Sequence, residues 1–246
     1  MEWSDDAIVL AARKHGENAL IAQVLTPGHG RHGGLVRGGT GRRARGLWLP
    51  GNRLRATWRG RLPEHLGAFT AELSEAVAAR HLDDSLRLAA LSAACAVAEA
   101  ALPEREAHPP VFEGLAVLLA ALDGAAWPTV YVKWELGLLG ELGFGLDLGS
   151  CAATGVVEDL SHVSPRSGRA VSRAAAEPYL DRLLPLPPFL LRPGALGGPA
   201  EVLDGLALAG HFLERHVFAP HGLAVPAARQ RLVARLRRDG PAPDGL

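Results

Sequence analysis

The stretch Arg53-Leu54-Arg55-Ala56-Thr57-Trp58-Arg59-Gly60-Arg61 alternates between polar and apolar side chains. In an extended chain, successive side chains point to opposite faces. Leu54, Ala56 and Trp58 then share a face suited to a core. Arg53, Arg55, Thr57, Arg59 and Arg61 share the other. A helix would scatter both sets, so the stretch reads as a strand with one buried side. Working upstream, Ala7–Arg13, Ala19–Thr26 and Arg31–Arg37 are short apolar runs. They are separated by the turn sequences His15-Gly16-Glu17-Asn18 and Pro27-Gly28-His29-Gly30. Leu47–Leu62 reads as one long strand bent at Pro50-Gly51, and Leu66–Leu73 as a fifth. Five short strands with Gly-rich turns and no intervening helix predict a small closed barrel or sandwich.

Four like charges along one strand face repel and gain nothing locally, whereas an extended polyanion would neutralise them. The Gly38–Gly46 segment just before reads as a flexible basic loop, from which Arg42, Arg43 and Arg45 can wrap phosphates. Arg31 and Arg37 share a face of the third strand. Trp48, beside the loop, can stack on a base or enter the core. A five-stranded barrel with a basic face is the pattern of the oligonucleotide-binding OB-fold.

The rest of the composition narrows the alternatives. The chain has 246 residues, 48% hydrophobic and 21% charged, as expected of a globular protein with one large or two modest domains. Its longest charge-free and Pro-free apolar stretch, Leu88–Ala98, is about half of the roughly 20 residues a membrane span needs. The acidic start Met1-Glu2-Trp3-Ser4-Asp5-Asp6 lacks the signal-peptide pattern, which predicts a cytoplasmic protein. Two cysteines, Cys95 and Cys151, can form neither a disulfide framework nor a four-thiolate metal site. Zero net charge conceals segregation: net +6 over residues 1–70, −10 over 71–160 and +4 over 161–246. A basic end beside an acidic middle suggests a polyanion surface on the first part and a scaffold in the second.

From about residue 71 the pattern turns helical. Glu72–His81 is Ala-rich. Asp83-Asp84 can cap a helix reaching Ala101. Pro109-Pro110 opens another, and Trp127-Pro128 a third ending at Gly143. Leu146–Ser172 shows no period and reads as an irregular insert. Further helices are expected over 174–183, 200–218 and 226–238. The overall expectation is an α+β chain: an OB barrel over 1–75, then a helical domain over 76–246 with an insert at about 145–172.

Catalytic patterns fail on mechanism. Gly28-His29-Gly30-Arg31-His32-Gly33 fits a dinucleotide fingerprint by spelling, but no helix follows it and Arg53 stands where a ribose-binding acid belongs. There is no phosphate-binding P-loop, nucleophile elbow or paired-histidine zinc motif. His211 and His216 have poor one-face spacing for a shared metal.

Several segments resemble the RecO family of bacterial DNA repair proteins, in order and over nearly the whole chain. They are Ile8-Val9-Leu10, Lys14-His15-Gly16-Glu17, Val24-Leu25-Thr26, Gly30, Gly33, Leu35-Val36-Arg37-Gly38 and Pro50-Gly51, then Leu139–Phe144, Ser164-Pro165-Arg166-Ser167-Gly168 and Pro226–Arg229. The resemblance implies an N-terminal OB-fold, a helical C-terminal domain and no enzymatic activity or cofactor. It implies a nucleoid-associated recombination mediator that binds single- and double-stranded DNA and anneals complementary strands. It also implies action with RecR to load RecA onto DNA coated by single-stranded DNA-binding protein (SSB). Lys14 thereby joins Arg31, Arg37, Arg42, Arg43, Arg45, Trp48, Arg53, Arg55, Arg59 and Arg61 as a candidate DNA-binding residue. One departure concerns the four-cysteine zinc module that some members carry: here the insert holds only Cys151, and Thr154 stands where a second cysteine would be, so zinc is not expected. Two rival readings are a hydrolase or transferase using Cys151, His162, Ser164 or Arg166, and an RNA-binding OB protein.

Overall fold

The computed structural model describes residues 1–62 and 64–239, with the side chains of Arg43 and Asp239 outside that description. They form two compact units, one of Met1–Ala120 with Pro226–Arg229, the other of Ala121–Val225 with the chain from Gln230 onward. The first unit extends beyond the barrel segment because the helices following the barrel belong to it.

Five strands build the barrel: β1 (Glu2–His15), β2 (Ala19–Thr26), β3 (Gly30–Arg37), β4 (Arg53–Arg59) and β5 (Ala68–Glu75). They close in the order β1-β2-β3-β5-β4. All pairings are antiparallel except β3 with β5, joined at Leu35 and Ala68. Closure removes the sheet edges that would otherwise expose unpaired backbone. The alternation of β4 falls as expected: Leu54, Ala56 and Trp58 are buried in a core shared with Ala7, Val9, Leu20, Val24, Val36 and Phe69. Gly34 is required where β3 passes the Phe69 ring, since a Cβ there would lie 2.3 Å from Phe69 Cδ2.

Two expectations need correction. The basic segment before β4 is a short helix, α1 (Arg42–Leu47), and not a flexible loop. Its last turn is held by Asn52, whose Nδ2 donates to Gly46 O at 2.8 Å and Leu47 O at 3.1 Å. In addition, β1 begins at Glu2, five residues before the apolar run, because Glu2–Ile8 pairs rung by rung with Arg59–Arg53. An acidic strand start has little propensity of its own and is carried by its neighbour.

After the short α2 (Val77–Arg80) comes α3 (Ser85–Ala101), whose start is fixed by Asp84 accepting from the Leu86 and Arg87 amides. That cap stabilises by about 1 kcal/mol. The link from α3 to α4 (Pro109–Ala121) runs along β3: Arg105 N donates to Arg31 O at 2.8 Å. Gly30 permits this approach, as its Cβ would otherwise sit 1.8 Å from Glu106 O.

In the second unit, α5 (Trp127–Glu141) buries Trp127, Tyr131, Trp134 and Leu138. The segment expected to be irregular contributes β6 (Leu160–Val163) and β7 (Ala170–Ser172) to a three-stranded sheet completed by β8 (Leu184–Pro185) from beyond it. Its strands are too short for a periodic signal. Next come α6 (Arg173–Ala176), α7 (Pro199–Phe212) and α8 (Ala227–Asp239), and α7 runs on as a π-helical turn over Leu213–Phe218. Among the described residues no helix is long and apolar enough to cross a membrane.

Candidate nucleic-acid interface

The arginines of β4 do share one outward face, but they are not alone there. Antiparallel register sets Glu2 opposite Arg59, Asp6 opposite Arg55 and Glu75 opposite Arg53. The ion-pair distances are 2.7, 3.2 and 3.7 Å respectively. Ser4 and Thr57 hydrogen-bond between the first two pairs. Its hydrogen bond from Arg59 holds the Glu2 carboxyl below the usual carboxylate range and raises the guanidinium in return. The expectation that this stripe has no structural use is therefore corrected: cross-strand opposite charges stabilise a sheet face. The signal was present in Glu2-x-Ser4-x-Asp6, which alternates in phase with the arginines once the strand is extended to Glu2.

Other candidates fall into three groups. Arg31 is a structural tie, its Nε donating to Leu102 O at 2.8 Å and its Nη1 lying 3.4 Å from Glu104. Trp48 is only 3% exposed and packs in the barrel core 5.9 Å from the Phe69 ring, so it offers no face to a base. This corrects its place in the candidate set: the helical turn of α1 rotates the indole inward.

The third group is Lys14, Arg37, Arg42, Arg45 and Arg61, all exposed. No ion pair engages them among the described residues. The strand ladder brings four of them to one end of the barrel. Lys14 pairs with Leu20 and Leu20 with Val36, while on the next rung His15 pairs with Ala19 and Ala19 with Arg37. The Gly38–Gly41 turn then leads directly into α1 with Arg42 and Arg45; the Arg43 side chain lies outside the described structure. A rim of uncompensated cations at one end of a small barrel can neutralise a phosphate backbone without reading bases.

In the 151–166 segment, His162 Nδ1 lies 2.9 Å from Ser161 Oγ, while Cys151 and the Ser164–Gly168 turn are engaged in local structure. Cys151 is buried, and its sulfur accepts from the Ser172 amide at 3.3 Å and the Ser172 hydroxyl at 3.4 Å. Those donors, with Thr154, lower the thiol to about 6 against the opposing effect of burial. Ser164-Pro165-Arg166-Ser167-Gly168 is the turn joining β6 to β7. It is closed by Gly168 N donating to Ser164 O and braced by His211 Nε2 and Arg215 Nη1 on Pro165 O. The residues present do not fit zinc: Cys151 stands beside Thr154 and Ser172, and among the described residues no three His, Cys, Asp or Glu side chains gather to hold a metal.

The family profile described as "Recombination protein O N terminal" matches residues 1–77, and that described as "Recombination protein O C terminal" matches residues 82–223. The chain is 59% identical to a DNA repair protein RecO of Rhodospirillum centenum, over 97% of this chain and 96% of that one. It is 53% identical to its counterpart in Rhodospirillum rubrum, over 97% of both chains. It is 51% identical to one from Phenylobacterium zucineum, over 98% of this chain and 99% of that one.

Proposed function

The chain belongs to the RecO family of DNA repair proteins, and from that premise we propose that its barrel is a sequence-independent grip for DNA. The observation that carries this reading is the rim of uncompensated cations formed by Lys14, Arg37, Arg42 and Arg45. Held on a helix and two strand ends, it presents charge to a phosphate backbone and nothing matched to base edges. The β4 arginines contribute little, since their charge is returned by Glu2, Asp6 and Glu75.

On this reading the protein is a non-enzymatic cytoplasmic mediator that acts at the nucleoid. It binds single- and double-stranded DNA and anneals complementary strands. Annealing needs no bond chemistry: bringing two strands to one cationic surface lowers their mutual repulsion and raises their local concentration. With RecR it helps RecA load onto SSB-coated DNA.

A titration against single-stranded, duplex and RNA oligonucleotides over a range of salt tests the reading. If about 5 phosphates are neutralised, log K falls against log[salt] with a slope near −3 to −4 on single strands, nearly independent of sequence. A flat salt dependence, or a strong preference for RNA, would overturn it.

A further inference from the structure

In the second unit, the end of α5 and the Ser164–Gly168 turn both meet the helical run Pro199–Phe218. Gly143, at φ 86°, ends α5, and the Phe144 amide donates back to Leu139 O at 2.8 Å. That closure fixes the backbone from which the Phe144 ring projects. The ring stacks on His216 with centroids 5.0 Å apart and planes 10° from parallel. His216 stacks in turn on Phe212, at 5.9 Å and 9°. Phe212 is buried, whereas Phe144 is 39% exposed and carries no second ring among the described residues. The three rings form a column rooted in the core and open at Phe144. Its root is packed by the turn, since a Cβ at Gly168 would lie 3.6 Å from Phe212 Cε1. In that turn Pro165 O accepts from Arg215 Nη1 at 3.2 Å, which anchors Arg215 and leaves its guanidinium without a carboxylate partner. Arg166, next in the turn, is exposed and makes no ion pair among the described residues. Asp147, by contrast, is taken up by Arg169 at 3.2 Å. His216 and Arg215 lie on the π-helical turn, a rare conformation that is frequent at functional sites.

Resting on the DNA-binding reading above, we propose that the open end of this column is a second DNA contact, where an unpaired base of a single strand stacks on Phe144 and Arg166 and Arg215 hold the adjoining phosphates. The chemistry selects the occupant. A parallel column of rings is extended by one more flat ring, and every base has such a face. Two arginines without carboxylate partners call for an anionic ligand. An apolar protein side chain would cover Phe144 and leave both guanidinium groups without a counter-charge. Bases inside a duplex are already stacked on both faces, so the column takes single strands only. Glu214, exposed on the same turn, opposes the phosphates and limits the affinity. The cationic rim grips backbone in either form of DNA, whereas the column holds a strand by a base. A protein with both can keep one strand by its backbone while another is held by its bases, an arrangement suited to annealing.

The test uses the full chain and a thymidine oligonucleotide carrying 5-iododeoxyuridine, which cross-links on irradiation to an aromatic ring stacked against it. Mass spectrometry of the parent protein should place a cross-link on Phe144. Phe144→Leu removes the ring at an exposed position and should stay folded by circular dichroism. It should weaken single-strand binding about five- to tenfold, the lower part of the range for one stacked base, and leave duplex affinity within about twofold. Arg166→Ala should reduce the single-strand salt slope by a little under one, and Glu214→Gln should raise single-strand affinity. Salt-dependent single-strand binding with cross-links confined to the barrel overturns the column assignment while the DNA reading stands. Equal losses on single strands and duplex in Phe144→Leu, or no loss in the folded variant, overturn it likewise, the second leaving Phe144 to a protein partner. The cross-link on the parent protein decides even where the variant fails to fold. Absence of any DNA binding brings down both readings.

Discussion

Arg59 lies directly across the β1–β4 ladder from Glu2, with 2.7 Å between guanidinium and carboxylate. The pair turns a stripe that looks uniformly basic in the sequence into a ladder of matched charges. It also changes which arginines are expected to matter for DNA.

Replacing Arg42 and Arg45 with Ala should weaken DNA binding roughly uniformly across sequences and reduce the salt slope by about one for each lost phosphate contact. Replacing Arg55 and Arg59 should change the slope much less, because each already returns its charge to a carboxylate. Glu2→Gln should strengthen binding slightly by releasing Arg59. Fluorescence anisotropy at three or more salt concentrations distinguishes these outcomes. Equal losses for the two arginine pairs would show that DNA displaces the acidic partners.

Trp48→Ala should destabilise the barrel by about 3–5 kcal/mol, the usual cost of emptying a large aromatic site in a core. Its effect on DNA should be indirect, through loss of the surface on which α1 sits. Urea denaturation followed by fluorescence measures the first effect. Unchanged stability with lost DNA affinity would instead restore Trp48 as a stacking residue.

His32 titrates at about 4 in the folded protein, pushed down mainly by burial and further by Arg105 and His29. The unfolded chain takes up this proton near pH 6.5, so between about pH 6.5 and 4 it binds more protons than the folded one. Stability is therefore complete above pH 6.5 and declines as pH falls toward 4, by on the order of 2–3 kcal/mol. His32→Phe should flatten that part of the pH–stability curve. An unchanged curve would show that His32 takes up its proton alike in the folded and the unfolded chain.

Purified protein should carry no stoichiometric zinc, since Cys151 has Ser172 and Thr154 about it in place of further thiolates. Cys151→Ala should cost about 1–3 kcal/mol by leaving the Ser172 donors buried without their acceptor. Elemental analysis and thermal unfolding check the two statements. About one zinc per chain would require a ligand set beyond the described residues.

The barrel, the main helices and the family are legible in the residues alone. Their signals are local and redundant: alternation in Leu54-x-Ala56-x-Trp58, turn glycines between apolar runs, and the capping Asp84 before a long apolar helix. A period of two or of 3.6 is written into consecutive residues and needs no knowledge of neighbours. Tertiary structure alone decided which cations remain uncompensated. Pairing Arg55 with Asp6, 49 residues away, depends on strand register, and register is set by closing the whole barrel. The same holds for Trp48, whose direction depends on one helical turn in a Gly- and Arg-rich segment of weak propensity. It holds too for the column of rings that opens at Phe144, whose members come from the end of α5, from α7 and from the π-helical turn after it. No window of sequence contains them together, because such a column is a property of packing between distant segments.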